Sequence, residues 1–134
     1  MSVSVIVTCH NEEAYIEQCF NSVMQQSVYR DIKEIFIVDD GSTDSSPQIL
    51  AKLKLSCDKL KIITTKGLGL PSARNIAIKS ATSNFIAFLD ADDYWTESKL
   101  QNQLPAFEND SLIGLVYGDI WDFKKPDASD ATKV

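Results

Sequence analysis

The sequence predicts an α/β domain with a mostly parallel central sheet, and three observations carry that expectation. Short apolar, β-branched runs alternate with stretches of helical periodicity, which is how a sheet whose strands are joined by helices reads. The runs are apolar with little alternation, as strands covered on both faces are. The clusters Thr8-Cys9-His10-Asn11, Asp39-Asp40-Gly41-Ser42 and Asp90-Ala91-Asp92-Asp93 each sit at the end of such a run. A parallel sheet gathers its carboxyl ends on one edge, where ligands bind in folds of this class.

The elements follow in order. Val3 to Thr8 reads as a buried strand. Asn11-Glu12-Glu13 offers a cap and acids suited to a helix N-terminus. Ile16, Phe20, Val23 and Met24 then recur at helical spacing. Glu34 to Val38 is a second strand, and Asp39 to Asp44 a polar turn in which Ser42 or Thr43 could cap the next helix. Pro47 stands where a first helical turn tolerates proline, ahead of the apolar stripe Ile49, Leu50 and Leu53. Lys61 to Thr65 is a short third strand, followed by a flexible Gly67-Leu68-Gly69 loop. Pro71 opens a helix with Ala73, Ile76 and Ala77 facing inward. Phe85 to Leu89 is a central strand candidate. Thr96 can cap a helix bearing Leu100, Leu104 and Phe107, and Leu115 to Tyr117 is a last strand. Residues 1–123 are therefore expected to form one domain. Lys124 to Val134 has no apolar periodicity and reads as a disordered or truncated tail.

Composition narrows the function classes. The chain has 134 residues, 44% of them hydrophobic and 24% charged, a globular balance. A net charge of −6 argues against non-specific nucleic-acid binding, which needs basic surface. Cys9, Cys19 and Cys57 are odd in number and lack Cys-x-x-Cys spacing, against a disulfide framework or structural zinc. Buried thiols in a reducing compartment fit better. No run approaches the roughly 20 apolar residues of a membrane span. A cytoplasmic location is expected, with membrane association left open for a longer full-length protein.

Asp90-Ala91-Asp92-Asp93 is the sharpest feature. Three carboxylates in four residues repel one another unless a cation lies nearby. Mg2+ and Mn2+ often take only one or two carboxylates, completing their shell with water and phosphate oxygens. An acidic turn or cap is the alternative from spacing alone. Asp40 could accept hydrogen bonds from a ligand's N–H or hydroxyl groups, with Gly41 permitting close approach. The alternative there is a plain strand-to-helix turn. Gly67-Leu68-Gly69-Leu70-Pro71-Ser72 lacks the third glycine of a dinucleotide fingerprint. Arg74 could reach a diphosphate, or be a surface arginine. His10, the lone histidine, could stack on a base or be a polar strand-end residue. Tyr94 and Trp95 read as core or rim aromatics that could line a sugar pocket.

Taken in order, these motifs resemble the inverting family 2 glycosyltransferases of GT-A fold, a Rossmann-like α/β/α sandwich. The residues carrying the resemblance are Ser4-Val5-Ile6-Val7-Thr8-Cys9-His10-Asn11-Glu12, Ile37-Val38-Asp39-Asp40-Gly41-Ser42-Thr43-Asp44, Ser72-Ala73-Arg74-Asn75 and Phe88-Leu89-Asp90-Ala91-Asp92-Asp93. The resemblance implies a nucleotide-sugar site made by Thr8, His10, Asn11, Asp40, Arg74, Asp90, Ala91 and Asp92. Thr8 and His10 would lie against the base, which Asp40 would hydrogen-bond, and Arg74 near the phosphates. Asp90 and Asp92 match the Asp-x-Asp motif that holds Mn2+ or Mg2+, Asp92 as direct ligand and Asp90 on the ribose or a metal-bound water. It implies a hexosyltransferase-type enzyme using a nucleoside-diphosphate sugar, UDP-sugar foremost, on a glycan, lipid-linked or protein acceptor. The chain would be the N-terminal donor-binding portion. The catalytic base is expected beyond the chain's end, since no motif around Asp119 or Asp122 matches it. Two alternatives stand beside this one: a donor-binding fragment without catalysis of its own, and a receiver-like signalling module, which also places acids at strand ends.

Overall fold

The computed structural model describes residues 1–122, 129, 132 and 133. Its centre is a sheet of β1 (Val3–Cys9), β2 (Ile32–Asp39), β3 (Leu60–Thr64) and β4 (Phe85–Asp90), in the order β3-β2-β1-β4. Every pairing is parallel. The connections are helical: α1 (Ile16–Met24), α2 (Ser46–Ser56) and α3 (Leu70–Ser80), with α4 (Lys99–Asn109) after β4.

All seven residues of β1 are buried, because helices cover both faces of the sheet. One face presents Val3, Val5 and Val7 with Ile35 and Ile37. It packs against Ile16, Phe20 and Val23 of α1, Leu50 and Leu53 of α2, and Leu100 and Leu104 of α4. The other presents Ile6, Phe36 and Val38 to Ala73 and Ala77 of α3, whose small side chains let that helix lie close. Ile78 packs against this second cluster, while Ile76, expected to face inward, is only half-buried.

A buried carboxylate ties the sheet together at its amino end. Glu34 on β2 accepts hydrogen bonds from the Ser4 hydroxyl at 2.7 Å, the Thr82 N–H at 2.7 Å and the Lys61 ammonium at 2.6 Å. Burial works against its charge, but Lys61, Thr82 and Ser4 outweigh that cost and bring the carboxyl down to about 2.

Several local expectations are corrected. Asn11 does not cap α1, whose cap position is Tyr15. Asn11 adopts φ 58°, and its side-chain oxygen accepts the Thr43 N–H at 2.7 Å and the Asp44 N–H at 3.3 Å. A short polar side chain competes for nearby backbone donors wherever they lie, and the β2–α2 turn lies nearer. Ser42 and Thr43 do not cap α2. Asp44 accepts the Ser46 N–H instead. Thr96 lies ahead of α4, whose cap position is Ser98.

The strand expected at Leu115 to Tyr117 is absent. Leu115 and Tyr117 are 78% and 88% exposed, and no strand among the described residues pairs with them, so the β-forming character of the run finds no ladder there. Further along, Trp121–Asp122 pairs antiparallel with Thr132–Lys133, across the boundary expected near residue 123. The expected tail otherwise falls mostly on residues 124–128, 130, 131 and 134, outside the described residues. No helix among the described residues is long and apolar enough to cross a membrane.

Candidate functional site

The register assembles the site. Thr8 of β1 stands opposite Val38 on one side and Asp90 on the other, and Cys9 opposite Asp39. The strands therefore end level, and His10, Asp40 and Asp90 emerge on one edge. A cleft of about 520 Å³ opens there, lined by Thr8, His10, Asp40, Asp90, Ala91 and Asp92 among others. Six of the eight expected residues thus share one cavity. Asn11 is turned to the β2–α2 loop, as described above. Arg74, on the second turn of α3, ion-pairs with Asp90 at 2.6 Å at the cleft's edge.

Each lining group is held in a particular state. The His10 Nδ1 lies 2.8 Å from the Asp40 carbonyl oxygen. A carbonyl only accepts, so Nδ1 carries the proton in that contact. Asp90 Oδ1 accepts from the Arg74 guanidinium at 2.6 Å and from the Thr8 hydroxyl at 3.2 Å, which occupies much of one oxygen. Asp92 is exposed. Asp93 has its carboxyl pushed up, by burial and then by Asp92 and Asp90.

Asp40 is 4% exposed. The Thr65 hydroxyl donates to its Oδ1 at 2.5 Å, the Leu68 N–H to the same oxygen at 2.7 Å, and the Gly69 N–H to Oδ2 at 2.7 Å. Led by Thr65, these bonds hold the carboxyl below the usual range despite burial. Gly41 has φ +76° and lies so close to the loop that a Cβ would stand 3.1 Å from the Gly67 nitrogen. That approach accounts for a glycine in the Asp-Asp-Gly-Ser turn.

Sequence reasoning left out Glu12, Gly67, Gly69 and Leu70, which also line the cleft. Glu12 follows the first strand's polar end, and its carboxyl is pushed up by burial, then by Asp92 and Asp44. The Thr65–Gly69 segment follows β3 as the other clusters follow their strands, and that position was the signal available. Trp95 is in the core. With Tyr94 it lines a separate cleft along α1, so neither aromatic lines the cleft at the strand ends.

No group of three or more metal-ligating side chains converges among the described residues. What the described residues do offer is the one- or two-carboxylate arrangement that Mg2+ and Mn2+ accept when phosphates supply the rest. The mutual repulsion of Asp92 with Glu12 and Asp93 is what a cation there would relieve, so the donor set fits.

Comparison with known proteins places this geometry. Residues 4–130 match the family described as Glycosyl transferase family 2. WfaP of Escherichia coli, a UDP-Glc:α-D-GlcNAc-diphosphoundecaprenol β-1,3-glucosyltransferase, is 39% identical over 83% of this chain and 43% of its own. A glycosyltransferase of Nostoc sp. is 39% identical over 87% of this chain and 36% of its own. Staphylococcus aureus TarS residues 1–349, solved with UDP-GlcNAc, superposes with a TM-score of 0.70 at 36% identity, over 81% of this chain and 31% of that one. The Pyrobaculum calidifontis mannosyltransferase PcManGT, solved with GDP-Man and Mn2+, gives 0.72 at 27% identity, over 78% and 32%. The chain thus spans less than half the length of these relatives. The parallel sheet between helical layers is the GT-A, Rossmann-like arrangement that the motifs imply, and a signalling receiver is not favoured. This chain belongs to glycosyltransferase family 2.

Proposed function

We propose that the chain forms the donor side of an inverting, metal-dependent glycosyltransferase that takes a nucleoside-diphosphate sugar, UDP-sugar foremost. The observation carrying this is the convergence of Thr8, His10, Asp40, Asp90, Ala91 and Asp92 on one cleft at the carboxyl edge of the sheet, in a chain of this family. The ligands of its structural neighbours, UDP-GlcNAc and GDP-Man, are nucleotide sugars and support the same reading.

Each residue's part follows from its chemistry. Asp40 is an ionised acceptor and takes a ring N–H of the base. Thr8 and His10 form the wall beside it. Arg74 neutralises Asp90 and stands where it can exchange that carboxylate for a phosphate oxygen. Asp92, which is exposed, would hold Mn2+ or Mg2+ together with the donor's diphosphate, with Asp90 beside it. Bound there, the metal supplies Lewis-acid stabilisation of charge on the leaving diphosphate. In the transfer, an acceptor hydroxyl attacks the anomeric carbon from the face opposite the diphosphate. The anomeric C–O bond to phosphate breaks, and the hydroxyl proton passes to a carboxylate base. That base is assigned to an acceptor-side segment, with 1–123 as the donor-binding domain.

A panel of UDP, GDP, CDP and ADP, each with Mn2+, tests the nucleotide assignment by thermal shift. UDP should raise the midpoint most, by RT ln(1 + [L]/Kd) of added stability. Equal shifts for all four would contradict the role given to Asp40.

A further inference from the structure

We propose that Thr65 is a positioning residue for the nucleotide site: its hydroxyl, with the Leu68 and Gly69 amides, clamps the Asp40 carboxylate in the orientation in which it meets the base. The inference rests on the donor-site reading above.

A carboxylate offers about four acceptor positions, two on each oxygen. Oδ1 of Asp40 accepts from the Thr65 hydroxyl and the Leu68 N–H, and Oδ2 from the Gly69 N–H. Both oxygens are thus held, on a residue that lines the cleft, and the Gly67 N–H adds to the stabilisation of the charge. A ligand N–H would meet an acceptor whose orientation is already set, so little ordering cost remains to be met on binding.

The donors are not equally anchored. The Leu68 and Gly69 amides belong to a loop in which residues 66–69 are all exposed. Gly67 and Gly69 hold φ +71° and +84°, with nothing packed within 4 Å of where a Cβ would stand. Thr65 is half-buried, and its N–H bonds the Asp39 carbonyl at 2.9 Å, carrying the β2–β3 ladder one residue beyond the strand. Its β-branched side chain has a stiff first torsion. Thr65 is therefore the donor fixed to the sheet, and it brings the loop's amides into register on the same carboxylate.

The test is UDP titration, in the presence of Mn2+, of the full chain carrying Thr65→Val, Thr65→Ser, Asp40→Asn and the Asp40→Asn/Thr65→Val pair. Thr65→Val should weaken UDP about tenfold, the size of losing one hydrogen bond to a charged group. Thr65→Ser, which keeps the hydroxyl, should stay within about threefold of wild type. In the Asp40→Asn background Thr65→Val should change little, because the two act through one carboxylate. Thr65→Ala serves as the second variant should Val fold poorly. Unchanged UDP affinity in a folded Val or Ala variant overturns the inference while leaving the donor site standing. Equal losses with and without Asp40, or loss of thermal stability without loss of affinity, make Thr65 merely structural and also overturn it. Wild-type protein that binds no UDP overturns both this and the donor-site reading.

Discussion

Glu34 is 2% exposed, yet it carries a charge between β1, β2 and the segment after α3. The substitution Glu34→Gln keeps its shape and removes the charge. Its carboxyl lies at about 2 against an ordinary 4.5, and each unit of difference is 1.36 kcal/mol, so the charged form contributes about 3 kcal/mol to folding. A glutamine also turns an NH2 toward the Lys61 ammonium, which then swings to water, being half-exposed. Because the folded value is depressed, the contribution is complete above the unfolded value of about 4.5 and is lost as pH falls from there toward 2. In urea at pH 7 the variant should lose about 3 kcal/mol. With a slope of about 2 kcal/mol per molar, that lowers the midpoint by roughly 1.5 M. The difference between wild type and variant should be flat from pH 8 to about 5.5 and shrink steadily below about 4.5. A difference under about 1 kcal/mol at pH 7, or one that does not change down to pH 3, would show that the Glu34 charge does not stabilise the fold.

Other consequences can be checked on the same protein. Asp92→Ala should leave the fold intact and remove most of the Mn2+ enhancement of UDP binding; calorimetry showing an undiminished enhancement would contradict its role. Arg74→Gln should cost under about 0.5 kcal/mol in urea, since its pair with Asp90 is solvent-exposed, while UDP affinity falls several-fold in titration. Gly41→Ala places a Cβ 3.1 Å from the Gly67 nitrogen at φ +76°, and should cost about 1–2 kcal/mol, read as a lower thermal midpoint. Cys9 and Cys19 are buried with their thiols pushed up, Cys9 to about 11. Intact mass should show neither alkylated by iodoacetamide until the protein is unfolded.

The sheet was legible because its strands are apolar on both faces: β1 reads as Val3–Thr8 in sequence and spans Val3–Cys9 in the structure. The edge where His10, Asp40 and Asp90 meet was legible from their place after those strands. What the sequence could not show were partners. Asn11 has a good cap side chain, but whether it serves α1 or the β2–α2 turn depends on which orphan amides lie within about 3 Å. Leu115 to Tyr117 has strand composition, but a strand needs a neighbour. Thr65 carries no motif at all. Its importance lies in a hydroxyl 2.5 Å from Asp40, which is 25 positions earlier in the chain. The Gly67-Leu68-Gly69 loop was illegible for a related reason. Gly67 and Gly69 suggest only a flexible loop until Asp40 is found beneath their amides.

In the proposed donor site the cleft binds a nucleoside diphosphate through a carboxylate-held divalent ion. Isothermal titration of UDP into the full chain, with Mn2+ and then with EDTA in its place, tests it most directly. Saturable one-to-one binding is expected with Mn2+, and an affinity at least about tenfold weaker without it, a coupling of about 1.4 kcal/mol. Equal affinity in both conditions, or no binding by the folded protein, would contradict it.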